Sequence, residues 1–194
     1  MSPNDALPTR RIEPGSSLVQ AAPWETAPVT LDAPALAVMT DLTKVKAATT
    51  PPSTRLPQAE QQMIFQGVRM LFVVSRMPAI EGLVAHADLH GERAMRIVQQ
   101  RGVRHDEITV ADVMTELAAL EAVDLATLRH ARVSNVVATL KAHGRHHLLV
   151  LDGNAPARVV GLISGSQVAR QLGMPIEVVE VAGSFAELKQ LLSQ

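Results

Sequence analysis

The chain contains no cysteine and no tyrosine, and aromatic residues make up only 2% of it. Without thiols there are no disulfides, no thiolate metal centres and no cysteine nucleophiles. Three Phe and one Trp leave no stock of stacking platforms for nucleobases. A net charge of -1 offers no general grip on a polyanion. Nucleic acid is therefore not expected as a partner. No apolar run approaches the roughly 20 residues of a membrane span, so no membrane partner is expected either. The opening MSPNDALPTRRIEPG lacks the basic-then-apolar order of a signal peptide, and a cytoplasmic location is the expectation. What the chain does have is 47% apolar residues in 194. That is enough for one core, or for two half-sized units sharing one, filled by Val, Leu, Ile, Ala and Met.

Six of the twelve prolines fall in residues 1–34. Proline removes a backbone donor and fixes φ, so this stretch reads as a flexible or extended arm. Trp24, in PWETAP, reads as a tail residue or as an anchor on the body or on a second subunit. Charge is uneven: residues 1–34 carry -2, 35–104 carry +4, and 105–194 carry -3. The excess arginine at Arg93, Arg96, Arg101 and Arg104 suits a solvated helix face or an anion-binding patch.

The chain repeats itself. AVMTDLTKVK (37–46) resembles DVMTELAALE (112–121) at an offset of 75. STRLPQAEQQMIFQGVRMLFVVS (53–75) aligns on HARVSNVVATLKAHGRHHLLVLD (130–152) at 77, and EGLVAHADL (81–89) on VGLISGSQV (160–168) at 79. Three blocks recur in one order, with offsets growing by two each time, as two short loop insertions would produce. Each copy reads as β-α-β-β-α. A short amphipathic helix surrounds the VMT triplet, and an extended stretch follows near Lys44–Thr49 or Leu125–Leu128. A helix starts near Pro57 or Ser134 and ends at Gly67 or Gly144. Then come a doubly buried strand (70–74 or 148–151), a turn, a second strand (79–85 or 158–164) and a closing helix (87–100 or 166–173). A strand and a helix are expected over 176–192, where Ser184 and Glu187 form a capping-box pattern. The fold class is α/β (α+β). The units expected are an arm (1–34), a first repeat with its linker helix (35–104), a second repeat (105–175) and an extension (176–194).

The paired VMT triplets, the helix–Gly–apolar strand segments and two G-h-h-[ST]-x-x-D-like endings resemble a tandem pair of CBS domains, the Bateman module, over residues 35–173. That resemblance implies a pseudo-two-fold disc with two clefts for adenosine-containing molecules such as AMP, ADP, ATP, S-adenosyl methionine or NAD-type nucleotides. It also implies homodimerisation through helical faces, and sensing rather than catalysis. In the family the motif's aspartate accepts hydrogen bonds from ribose hydroxyls, and its Ser or Thr donates to ribose or phosphate. The glycine is expected to let the ligand approach the strand, and the following helix turns a positive end to phosphate.

Both copies depart from that pattern. The first reads Gly82-Leu83-Val84-Ala85-His86-Ala87-Asp88, with the aspartate but no hydroxyl. The second reads Gly161-Leu162-Ile163-Ser164-Gly165-Ser166-Gln167, with the hydroxyl but glutamine for aspartate. The Asp88 cleft is the favoured one, with His86 in its motif and with Lys46, Ala47, Thr49 and Met70 as neighbours by analogy. Ser164, Ser166, Gln167 and His147 are the counterparts in the second. Asp88 is equally explained as a helix cap.

His130, His143, His146 and His147 raise the question of a metal. His146 and His147 are adjacent at a strand start, however, and would point to opposite faces. No metal site and no tightly bound cofactor are expected. Gly161-Leu162-Ile163-Ser164-Gly165 is not a nucleophile elbow, and no Walker A loop or G-x-G-x-x-G is present. An enzyme is not expected. The reading is a stand-alone regulatory CBS pair that binds an adenine nucleotide and signals to a partner protein. The alternative is a ligand-independent scaffold with degenerate sites.

Overall fold

The structure is a computed structural model that describes residues 27–120, 122–144 and 146–176. Trp24 and the strand and helix expected beyond residue 176 lie outside the described residues.

Two mixed sheets of four strands form the frame. In the first, β2 (Thr49–Thr50), β3 (Met70–Val73), β4 (Gly82–Ala85) and β5 (Thr115–Glu116) lie in that order. In the second the order is β1 (Thr40–Asp41), β8 (Arg158–Ser164), β7 (His147–Asp152) and β6 (Ala122–Asp124). The parallel pairs β2–β3 and β6–β7 each enclose a crossover. In the first unit it is α1 (Leu56–Gln66). In the second it is α5 (Leu125–His130) followed by α6 (Val133–Ala142). Pro57 sits in the first turn of α1, where its missing N–H costs nothing. The antiparallel hairpins β3–β4 and β7–β8 lead into α2 (His86–His90) and α7 (Gly165–Leu172).

The β-α-β-β-α order appears twice, with three local differences. The second extended segment is β6, just before Leu125–Leu128, and those residues open α5 instead. In the first copy β2 starts at Thr49, after the loop that Lys44 begins. The helix expected over 87–100 is broken at Gly91 into α2 and α3 (Glu92–Arg101).

The larger correction concerns where the repeats are cut. Ala35–Val38, a short 3-10 helix, and β1 belong by position to the first copy, yet they complete the second. Ala35 and Val38 are fully buried among Leu128, Val133, Val136, Leu140 and Ile163. Thr40 and Asp41 pair with Leu162 and Gly161 of β8. In the same way α4 (Val110–Val113) fills the first core beside Leu56, Met63, Leu71 and Val84. Thr115 and Glu116 pair with Leu83 and Gly82 of β4. Each VMT segment is thus exchanged with the other unit. The backbone repeats the exchange faithfully. Val133 N–H donates to the Ala33 carbonyl (2.9 Å) as Leu56 N–H does to Ile108 (3.0 Å). Ala35 N–H donates to Ala131 (2.9 Å) as Val110 N–H does to Thr54 (2.8 Å).

The described end of the arm is correspondingly docked rather than flexible. Val29 N–H donates to the Gln171 carbonyl at 2.9 Å and Ser134 N–H to Leu31 at 2.9 Å. The buried Gln171 side chain donates to the carbonyls of Ala27 and Ala37, each at 3.3 Å. Asp32 pairs with Arg132 at 2.9 Å.

The exchange explains the motif glycines. A Cβ on Gly82 would lie 2.3 Å from the Thr115 carbonyl oxygen, and one on Gly161 would lie 2.5 Å from Met39 Sδ. Their missing side chains make room for the exchanged segments. The two units also share a third apolar cluster, in which Met70, Phe72, Val74 and Leu83 meet Leu149 with Leu162 and Val159 packed against it. Among the described residues no helix is long and apolar enough to cross a membrane.

The glycine contacts differ in kind, backbone for Gly82 and flexible side chain for Gly161. Overpacking costs about 1–3 kcal/mol. Gly82→Ala is therefore expected at or above the top of that range and Gly161→Ala near its bottom, as read from urea unfolding midpoints.

Candidate functional site

The sequence-predicted residues of the first unit gather mostly at one end of its sheet. Met70 opens β3 and is paired with Ala85, the last residue of β4. Ala47 precedes β2 and packs on the inter-unit cluster that holds Met70. His86 N–H donates to the Arg69 carbonyl at 2.8 Å, tying the start of α2 to the start of β3. Asp88 stands on the first turn of α2, where its Oδ2 accepts the Ala85 N–H at 2.7 Å. The N-cap residue is Ala85, so Asp88 caps the helix from its third position and not as the N-cap, and this bond also holds its carboxylate at the strand end. Thr49 lies further along, beside Phe72, and Lys46 is exposed on the approach loop. The His86 ring leaves the group, turning outward to Glu60 of α1, 3.6 Å away.

The second unit repeats the arrangement with other chemistry. His147 opens β7 opposite Ser164, the last residue of β8. Gly165 N–H donates to the His146 carbonyl at 2.8 Å, the counterpart of the His86–Arg69 bond. Ser164 and Ser166 share a hydroxyl hydrogen bond at 3.0 Å. The helix that follows has no side-chain cap hydrogen bond at Ser164, so Gln167 does not copy the capping role of Asp88.

Burial drives the His147 imidazole well down, to about 4, because an imidazolium there would lose its hydration. The neighbouring His146 and the Arg69 guanidinium push in the same direction. Arg69 belongs to the first unit and His147 to the second, so the starts of β3 and β7 lie close enough for their charges to interact. The sequence reading missed Arg69. The signal was present, since Arg69 and His146 occupy matching places before the two buried strands.

A separate cavity of about 320 Å³ opens on the second sheet, lined by Leu36, Met39, Asp41, Thr43, Leu125, Arg129, Asp152 and Val160. None of the sequence-predicted residues lines it. Hydrogen bonds from Thr43 (Oγ1 at 2.6 Å, N–H at 2.9 Å) and the Lys44 ammonium at 3.0 Å hold the Asp41 carboxyl down at about 2.

No family model and no curated protein matches the chain. Solved structures do. An uncharacterized conserved protein from Pyrococcus horikoshii is 21% identical, covers 77% of this chain and 98% of its own, and superposes with a TM-score of 0.54. A protein with CBS domains from Burkholderia ambifaria MC40-6 is 23% identical over 66% of this chain and 82% of its own, with a TM-score of 0.50. A CBS-domain containing protein from Agrobacterium tumefaciens is 15% identical over 67% and 88%, also at 0.50. The architecture is a pair of pseudo-symmetric α/β repeats. The fold is that of a tandem CBS pair.

The buried histidine has a consequence for acid stability. Between pH 6.5 and about 4 the unfolded chain takes a proton that folded His147 refuses. Stability contributed by neutral His147 is thus full above pH 6.5 and is lost as pH falls toward 4. The loss is about 1–3 kcal/mol at most, from 1.36 kcal/mol per pKa unit. His147→Asn should flatten the fall in melting temperature between pH 6.5 and 4.5, measured by circular dichroism.

Proposed function

We propose that the chain is a regulatory CBS pair that binds an adenosine-containing nucleotide of the AMP, ADP or ATP type at the Asp88 end of the first sheet. Its output would be a signal to a partner protein. The observation that carries this reading is the convergence of Ala47, Met70, Ala85 and the fixed Asp88 carboxylate at one sheet end. A carboxylate already held by one N–H is pre-oriented to accept from ribose hydroxyls, and charge-assisted bonds of that kind are the strong ones. Arg69, at the same strand start, and the +4 balance of residues 35–104 supply the positive field that phosphates require. S-adenosyl methionine fits the same ribose contact but draws nothing from that field. In this reading the chain is a cytoplasmic binding module, not an enzyme. Nucleotide binding can bias the packing of the two exchanged units by no more than its differential affinity for their arrangements.

Self-association has its own support. Phe65 is 92% exposed and Ile64 66% exposed on α1. The matching residues of α6 are Ala142 and Lys141. The repeat symmetry is broken by a bulky apolar pair at the surface, as an interface requires.

The ligand-independent scaffold is favoured by a different observation. Met70 is 5% exposed and packed in the shared cluster, so it fills space at the sheet end.

A melting-temperature screen with AMP, ADP, ATP and S-adenosyl methionine separates the two readings. A nucleotide at 100 times its Kd should add about 2.7 kcal/mol of stability. Asp88→Asn keeps an acceptor for the Ala85 N–H but removes the charge. It should weaken binding about tenfold, the difference between a charged and a neutral hydrogen bond. No shift with any of the four at millimolar concentration would leave the scaffold. Phe65→Asp should convert a dimer to a monomer in light scattering behind size exclusion; an unchanged mass would remove α1 from the interface.

A further inference from the structure

Outside the nucleotide end of the first unit, three metal-ligating groups meet where α1 packs on α2. His86 and His90 are four residues apart on α2, so their rings rise from one face of the helix, one turn apart. Glu60 of α1 lies opposite them. Its Oε1 is 2.9 Å from His90 Nε2 and 3.6 Å from His86 Nε2. The three donor atoms all lie within 4.8 Å of one another. Ligands placed 2.0–2.1 Å from a tetrahedral zinc ion are about 3.3 Å apart. The two Glu60 distances straddle that value, and the two imidazole nitrogens, within 4.8 Å of each other, close on an ion by rotation of their side chains.

The surroundings suit such a site. The His105 ring stacks flat on His90, with centroids 5.5 Å apart and planes 6° apart. Its own Nε2 lies 2.7 Å from the Leu89 carbonyl, to which it donates. His105 therefore orients the His90 ring and is not aimed at the ion. Three protein ligands leave a position for water, and the side chains of Glu60, His86 and His90 are 31%, 41% and 51% exposed, which keeps an entry path open.

The geometry points to a His2Glu site for a divalent transition-metal ion of the zinc class at Glu60, His86 and His90, clamping α2 to α1. Two imidazoles and a single carboxylate, without thiolates, suit Zn2+, Co2+ or Ni2+. Mg2+ and Ca2+ want shells of oxygen. This runs against the expectation of no metal site in the chain, which weighed only the histidines around residue 146; Glu60 is 26 residues from His86 in the chain and joins it only through helix packing.

The test uses the full-length, untagged, metal-stripped chain without nucleotide. Isothermal titration with Zn2+ is expected to show one equivalent per chain, and Co2+ to develop the visible bands of a four- or five-coordinate site. His86→Asn, His90→Asn and Glu60→Gln should each weaken uptake by at least about tenfold, while His143→Asn leaves it unchanged. Absence of saturable uptake at roughly 100 µM metal, a concentration far above tight sites, would overturn the proposal. So would uptake that all three variants retain. Should a variant fail to fold, histidine-ring NMR of the wild-type chain still decides. Zinc must shift the signals of His86 and His90, and shifts confined to His130, His143, His146 and His147 refute the site.

Discussion

The constraint on which the rest of this molecule depends is the closing of each sheet by a strand from the other half of the chain. β1 and β5 are two residues long each and have no stability of their own. They hold because the helix before each one is buried in the opposite unit, through Ala35 and Val38 in one case and Val110 and Val113 in the other. Neither unit has a complete core or a complete sheet without the other's segment. The two repeats are therefore mutually dependent parts, and Gly82 and Gly161 are the points where the exchange demands a missing side chain.

The same constraint sets the geometry of the candidate site. Exchange and the shared cluster around Met70, Phe72, Leu83 and Leu149 fix the two hairpins against each other. Their open ends then carry the helix starts that hold Asp88 in one copy and Ser164 and Ser166 in the other. The backbone bonds at the exchange points and at the two helix starts are kept in both copies, while the chemistry differs. One end is a capped carboxylate; the other is a pair of hydroxyls beside a histidine kept neutral by burial. The two ends therefore present different chemistry at matching places of one backbone plan.

Much of the local structure was legible in the chain because it is written in local terms. The apolar runs MLFVV and LLVL, short and preceded by the helix breakers Gly67 and Gly144, read as buried strands. Gly67 and Gly144 take φ of 65° and 59° at helix ends. The capping alternative for Asp88 followed from its place at the start of a helix. Leu125–Leu128 was misread as extended because four residues, Leu-Ala-Thr-Leu, are too few to show either a strand or a helix period. The prolines of the arm speak against helix and inner strand but say nothing about the isolated backbone bonds that tie its described end, Val29 and Ala33, to Gln171 and Val133.

The amino-acid order alone determined that one β-α-β-β-α plan occurs twice, where its crossover helices stop at Gly67 and Gly144, and which residues stand at the two motif positions. It could do so because periodicity, breakers and repeat offsets act over a few residues. The tertiary structure decided which copy each VMT segment completes, why the motif glycines are needed, that Arg69 comes within electrostatic reach of His147, and that Glu60 meets His86 and His90. Each of these is a contact between residues far apart in the chain, set by packing of whole faces. Within either copy's own sequence, joining to itself or to its neighbour satisfies the same apolar pattern equally well.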